Sequence, residues 1–213
     1  MSDVIIRPAA PADIAAITRI YAGAVLHGTA TFEIEPPDEA EMARRQRTLI
    51  DKGYPYLVAE RSGAVAGYAY AGPYRDRPAY KWCVEDSIYV APEYHRKGIG
   101  RLLLMRLVGQ SEACGFRQML AVIGDSANTA SVAVHAAGGF RLVGTFQSVG
   151  FKHGRWLDTV LMQRPLGKSD SSSHASFRRP SRCSRMAARR RRTARSISRA
   201  PECALRRSAR RPR

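Results

Sequence analysis

Residues 95–100, His95-Arg96-Lys97-Gly98-Ile99-Gly100, join an apolar strand-like run, Ile88-Tyr89-Val90, to a helix-like run, Leu102-Leu103-Leu104. A strand, a tight glycine turn and a helix in immediate succession call for an α/β layout. Such a turn presents free backbone N–H groups to one point. The helix dipole and the side chains of Arg96, Lys97 and Arg101 add positive charge there. Together these features suit a pyrophosphate. The spacing is neither Gly-x-x-x-x-Gly-Lys-Ser/Thr nor Gly-x-Gly-x-x-Gly, so nucleotide-triphosphate and dinucleotide loops are excluded.

Hydrophobic periodicity extends this layout along the chain. Val4 to Arg7 reads as a strand. Pro11 opens a helix whose buried face carries Ile14, Ile17, Tyr21 and Val25. Thr29 to Pro37 reads as a loop and Asp38 to Lys52 as a polar helix. Tyr56–Arg61 and Ala64–Gly72 read as a hairpin turned at Ser62-Gly63. After an irregular Tyr/Arg/Pro segment, Trp82 to Val90 reads as a strand. Its alternation sets Val84, Ile88 and Val90 on one face and Glu85, Ser87 and Tyr89 on the other. A helix over Gly98–Cys114, a buried strand over Gln118–Ile123, and a short helix through Ala137 stopped by Gly138-Gly139 follow. Phe140–Gly150 and Arg155–Met162 form a last hairpin. The order β-α-α-β-β-β-α-β-α-β-β implies a mixed central sheet flanked by helices.

Charge divides the chain in two. Of 35 Lys and Arg residues, 16 fall in residues 167–213, against 2 of the 18 Asp and Glu, so most of the net +17 belongs to that tail. The tail is rich in Arg, Ser, Ala and Pro and has almost no periodic apolar residues. It is expected to be disordered, with the domain spanning 1–166. Its run Arg189-Arg190-Arg191-Arg192 would bind nucleic acid nonspecifically, by counterion release. Its abrupt onset also fits an out-of-frame or read-through extension of a GC-rich gene. The N-terminus lacks the pattern of a secretory signal, and no apolar run reaches the ~18 residues of a membrane helix, so a cytoplasmic setting is expected. The four cysteines show no metal-like spacing. Cys83 and Cys114 are expected as reduced, packed thiols, and no metal is expected.

Several separated motifs, in order, carry a family resemblance. They are Trp82-Cys83-Val84-Glu85-Asp86-Ser87-Ile88-Tyr89-Val90, the turn at 95–100, Ala121-Val122-Ile123-Gly124, Asn128-Thr129-Ala130-Ser131, Val134-His135, Gly139-Phe140, and residues 150–158, Gly-Phe-Lys-His-Gly-Arg-Trp-Leu-Asp. With Thr31-Phe32-Glu33 and Tyr70-Ala71-Gly72-Pro73-Tyr74, they resemble the GNAT N-acetyltransferases, in particular the phosphinothricin and methionine sulfoximine branch, over about residues 3–165. His95 departs from the Gln or Arg usual in that family, and the tail has no counterpart in it.

The resemblance implies the GNAT acyl-CoA N-acyltransferase fold and acetyl-CoA as donor. It implies direct transfer in a ternary complex to the amine of a small amino-acid-like molecule. A protein N-terminus, a polyamine or an antibiotic remains an alternative acceptor, and nucleic-acid binding through the tail an alternative function. Glu85 is implied as base and His135 as a second catalytic group, either base or proton donor to the thiolate. Ile88, Tyr89 and Val90 would pair through their backbone with the pantetheine arm, with the Val90 N–H also polarising the thioester carbonyl. Arg96, Lys97, Gly98, Ile99, Gly100 and Arg101 would hold the pyrophosphate, and Asn128 and Ser131 the pantetheine. On the acceptor side, Arg75, Asp76 and Arg77 would meet a carboxylate or phosphinate, and Glu85, Asp86 and Ser87 an ammonium. Phe32 and Tyr74 would wall the pocket. A homodimer is compatible with the resemblance, although no interface signal is legible in the sequence.

Overall fold

In the computed structural model, which describes residues 4–168, seven strands make one sheet. They are β1 (Val4–Pro8), β2 (Tyr56–Arg61), β3 (Ala64–Pro73), β4 (Cys83–Val90), β5 (Gln118–Gly124), β6 (Arg141–Lys152) and β7 (Arg155–Pro165). Their spatial order is β1-β2-β3-β4-β5-β7-β6, and β4–β5 is the one parallel pair. The helices are α1 (Ile14–His27), α2 (Glu39–Asp51), α3 (Ile99–Ala113) and α4 (Thr129–Ala137). The mixed α/β sheet and the element order match the sequence reading. The expectations placed on residues 169–213 lie outside the described residues.

Local chemistry explains the boundaries. Ser62 and Gly63 both take positive φ (50° and 79°), the conformation a two-residue hairpin turn requires. Pro11 opens a short 3-10 turn that leads into α1. Asp38 caps α2, its carboxylate accepting from the Glu41 N–H at 2.8 Å. Asn128 does the same for α4 through the Ser131 N–H at 3.2 Å. Leu166 ends the core, fully buried, with its N–H on the Arg117 carbonyl.

Strand alternation builds two cores. One face sends Leu57, Ala69, Ala71, Val84, Met119 and Ala121 against Leu103, Leu104 and Leu107 of α3. The opposite face sends Tyr56, Val58 and Tyr68 against Ile17, Tyr21 and Val25 of α1 and Met42 of α2. The polar-looking face of β4 is therefore not solvent-facing. Glu85, Ser87 and Tyr89 lie beneath the α1–α2 layer, where Tyr89 meets Tyr21 edge-to-face at 5.0 Å and Tyr68 stacked at 5.2 Å. Cys83 is a free thiol, but Cys114, expected to be reduced, is disulfide-bonded; no close Cys–Cys spacing announces it.

Candidate active site

The sheet forks in the middle. β5 stays paired with β4 from Cys83/Gln118 to Asp86/Ala121 and no further. On its other side, β4 keeps β3 all the way to Gly67/Val90. The Ala91 N–H donates to the Ala66 carbonyl at 2.9 Å, which fixes the phase of that ladder. Tyr68/Tyr89 and Tyr70/Ser87 are then the hydrogen-bonded pairs, and Ile88 and Val90 turn their N–H and C=O toward the side β5 has left. The Val90 carbonyl takes the His95 Nε2–H at 2.9 Å. The N–H groups of Ile88 and Val90 face the gap. It is lined by β4, β5, Ala30 and the α4 residues Ser131 and His135 with the cap Asn128, and encloses a cavity of about 50 Å³.

The turn ending at Gly98 borders the same fork. Arg96 and Gly98 hold positive φ (58° and 78°), which curls the chain into the start of α3. The first intrahelical bond runs from the Leu102 N–H to the Gly98 carbonyl, so the N–H groups of Ile99, Gly100 and Arg101 have no acceptor within the helix. These N–H groups lie in the turn where the sequence reading expects an anion. Lys97 is turned elsewhere. Its ammonium donates to the Glu93 carbonyl at 2.6 Å and lies over the Tyr94 ring. Arg96 and Arg101 make no ion pair among the described residues.

The two implied catalytic residues occupy opposite faces of β4. Glu85 is half-buried on the α1–α2 side. Burial, reinforced by the neighbouring Asp86 charge, pushes its carboxyl up to about 7, and the Arg75 guanidinium offsets part of that rise. Arg75 is thus the member of the 75–77 segment whose charge reaches Glu85. It also lies over the Tyr74 ring at 5.1 Å. Tyr74, Arg75, Asp76, Arg77 and Tyr80 line a wide, open cavity of about 510 Å³. Ser87 lies opposite Tyr70 in the β3–β4 register.

On the other face, His135 is 5% exposed and bonded at both ring nitrogens. Nδ1 lies 2.7 Å from the Ser131 carbonyl, and Nε2 lies 2.9 Å from Asp86 Oδ2. Burial alone would lower the imidazole pKa, but the Asp86 hydrogen bond and charge, with the Ser131 carbonyl, leave it raised. Asp86 is itself buried, and its Oδ1 has no hydrogen-bond partner among the described residues.

The loop between α1 and α2 roofs the gap, and the sequence did not show how it is held. Thr31 Oγ1 meets the Tyr21 hydroxyl at 3.0 Å, and Glu33 pairs with Arg45 at 2.7 Å. Lys152, only 4% exposed, donates to the Thr31 carbonyl at 2.8 Å; its burial lowers the ammonium pKa. The Phe32 ring fills a notch made by two glycines. A Cβ at Gly150 would sit 2.4 Å from that ring, and one at Gly124 would sit 3.1 Å from it. A glycine on each of two strands was the available signal, and only the fold shows that they meet. Among the described residues, no group of three or more His, Cys, Asp or Glu could hold a metal, and no helix is long and apolar enough to cross a membrane.

The sheet thus forks beside a turn with three N–H groups that have no acceptor within the helix, and strand N–H groups face the gap. Residues 19–140 match the family model described as Acetyltransferase (GNAT) family. The chain belongs to that family. Among its GNAT relatives is a phosphinothricin N-acetyltransferase of Alcaligenes faecalis, 54% identical over 75% of this chain and 81% of that protein. An L-methionine sulfoximine/L-methionine sulfone acetyltransferase of Salmonella typhimurium is 42% identical over 76% of this chain and 94% of that protein. A phosphinothricin acetyltransferase from Sinorhizobium meliloti, solved in complex with AcCoA, superposes with a TM-score of 0.81 at 52% identity, covering 84% of this chain and 97% of that one.

Proposed function

We propose that this GNAT protein is an acetyl-CoA-dependent N-acetyltransferase. Its acceptor is a small amino-acid-like amine of the phosphinothricin, methionine sulfoximine or methionine sulfone type, and transfer is direct within a ternary complex. The observation that carries this reading is the fork. Ile88 and Val90 offer N–H groups to an extended arm, the turn at 96–101 offers N–H groups and arginines to a diphosphate, and Glu85 lies on the same strand. The named activities of the relatives support the substrate class.

Acetyl-CoA supplies the activated acetyl group, and the chain does the rest. Backbone N–H groups at the start of α3, with Arg96 and Arg101, hold the phosphates. The Val90 N–H, on the side β5 has left, would donate to the thioester carbonyl oxygen, which gains negative charge as the amine attacks. An alkyl ammonium titrates at about 9 to 10.5, so at neutral pH almost all of the acceptor needs to lose a proton first. A carboxylate titrating at about 7 is half ionised at neutrality and is a far stronger base than an ordinary glutamate. Glu85 takes that proton, directly or through a water. Arg75 and Arg77 line the wide cavity, where a substrate carboxylate or phosphinate fits. A thiol-release screen over phosphinothricin, methionine sulfoximine, methionine sulfone, polyamines and N-terminal peptides tests this. Turnover confined to the first three supports it, and turnover confined to the last two overturns the substrate class.

A homodimer belongs to the same proposal. β6 is an edge strand, and Leu142, Val143, Phe146, Val149 and Phe151, with Trp156 of β7, are each more than half exposed. A contiguous apolar edge of this kind on a soluble chain marks a docking surface. A second copy suits it because an unpaired antiparallel edge is its own complement about a two-fold axis. Light scattering on the wild type and on Phe146→Lys tests this, with a dimer that the substitution dissociates as the expected result.

A further inference from the structure

The bonds of His135 leave it no lone pair with which to act as a base. The Ser131 carbonyl can only accept, so Nδ1 carries a proton. Nε2 faces Asp86 Oδ2 at 2.9 Å, and one proton lies on that line. It belongs to the imidazolium when Asp86 is ionised and to the carboxyl when Asp86 is neutral. In either arrangement both ring nitrogens are spent, and no lone pair is open to an incoming amine. The ring is also closed in by Phe140, edge-on at 5.1 Å. His135 and Glu85 sit on opposite faces of β4, so they cannot share one proton.

The position of the pair shows what it does. Asp86 is the last residue of β4 that still faces β5 in register, opposite Ala121; one residue further on, the strands part. His135 lies on α4, whose first turn, with the cap Asn128 and Ser131, borders the same gap. The Asp86–His135 bond therefore ties α4 to β4 at the vertex of the fork, across 49 positions of sequence. We propose that His135 is a positioning residue, not a base: with Asp86 it clamps α4 against the vertex and so presets the gap that receives the acyl donor. This rests on the proposed acetyl-CoA reading and sharpens it by leaving Glu85 as the single base.

The clamp needs only a hydrogen-bond donor at the place of Nε2, whereas a base needs a lone pair and a suitable titration. His135→Gln separates the two, since its amide N–H reaches toward Asp86 but cannot take a proton. Calorimetric acetyl-CoA affinity and kcat are measured for wild type, His135→Gln, His135→Ala and Asp86→Ala. The clamp predicts that His135→Gln keeps acetyl-CoA affinity and kcat within a few-fold of wild type. It predicts that His135→Ala and Asp86→Ala each weaken acetyl-CoA binding about tenfold, and that the double variant is no worse than either single one, as for neighbours in one hydrogen-bond network. A loss of kcat of tenfold or more in His135→Gln, with acetyl-CoA affinity unchanged, would restore the base and overturn the proposal. If the alanine variants fail to fold, the glutamine variant still decides. Wild-type protein that binds no acetyl-CoA at all would reject the enzymatic reading itself, a different outcome from either.

Discussion

Glu85→Gln is expected to make the protein more stable as it makes it inactive, and the gain should appear only above mildly acidic pH. The carboxyl titrates at about 7 in the folded chain against an ordinary 4.5, because burial and Asp86 disfavour its charge. A group whose pKa rises on folding favours the folded state while it is protonated and loses that contribution as pH rises. The contribution is full below 4.5, declines between 4.5 and about 7, and is gone above it. Each pH unit in that window costs about 1.4 kcal/mol at most, for an upper bound of about 3 kcal/mol; the partial exposure of Glu85 reduces this to about 2 kcal/mol. Glutamine has nearly the same shape and no charge to bury. The variant should match wild type at pH 4.5 and exceed it by about 2 kcal/mol at pH 8, which for a domain of this size raises Tm by about 4–8 °C. Urea denaturation of both proteins at pH 4.5, 6 and 8 reads the difference directly. A stability difference that does not grow between pH 4.5 and 8 would refute the claim that Glu85 is held in a charge-disfavouring site.

Gly150→Ala should force the Phe32 ring from its notch, costing about 1–3 kcal/mol of stability and raising KM for the amine; thermal melts and steady-state kinetics check it. Arg96→Gln with Arg101→Gln should weaken acetyl-CoA binding and flatten its salt dependence, measured by calorimetry at two ionic strengths, without moving kcat at saturation. A chain ended at Leu166, the last core residue, should keep acetyl transfer and lose any affinity for DNA, read by thiol release and gel shift.

What the sequence disclosed was local, and what it hid was long-range. The Ser62-Gly63 turn, the start of the second helix near Asp38 and the Gly98 start of α3 each depend on a few neighbouring residues, so local pattern located them. The fork depends on β5 parting from β4 after Asp86, which no residue within either strand announces. The face carrying Glu85, Ser87 and Tyr89 reads as polar, yet α1 and α2 cover it. Tyrosines 21, 56, 68, 70 and 89 form that layer, and their phenols keep an amphipathic look in the sequence while their rings pack as core. The Asp86–His135 bond and the Lys152–Thr31 bond join residues 49 and 121 positions apart. Motif matching singled out the first two residues without showing that they touch.

The pH dependence of kcat in wild-type protein tests the central claim most directly. With acetyl-CoA and a methionine sulfone-type amine both saturating, kcat should rise about tenfold per pH unit below 7 and level off above it, following ionisation of Glu85. A kcat that is flat from pH 5 to 8, or unchanged in Glu85→Gln, would contradict the account.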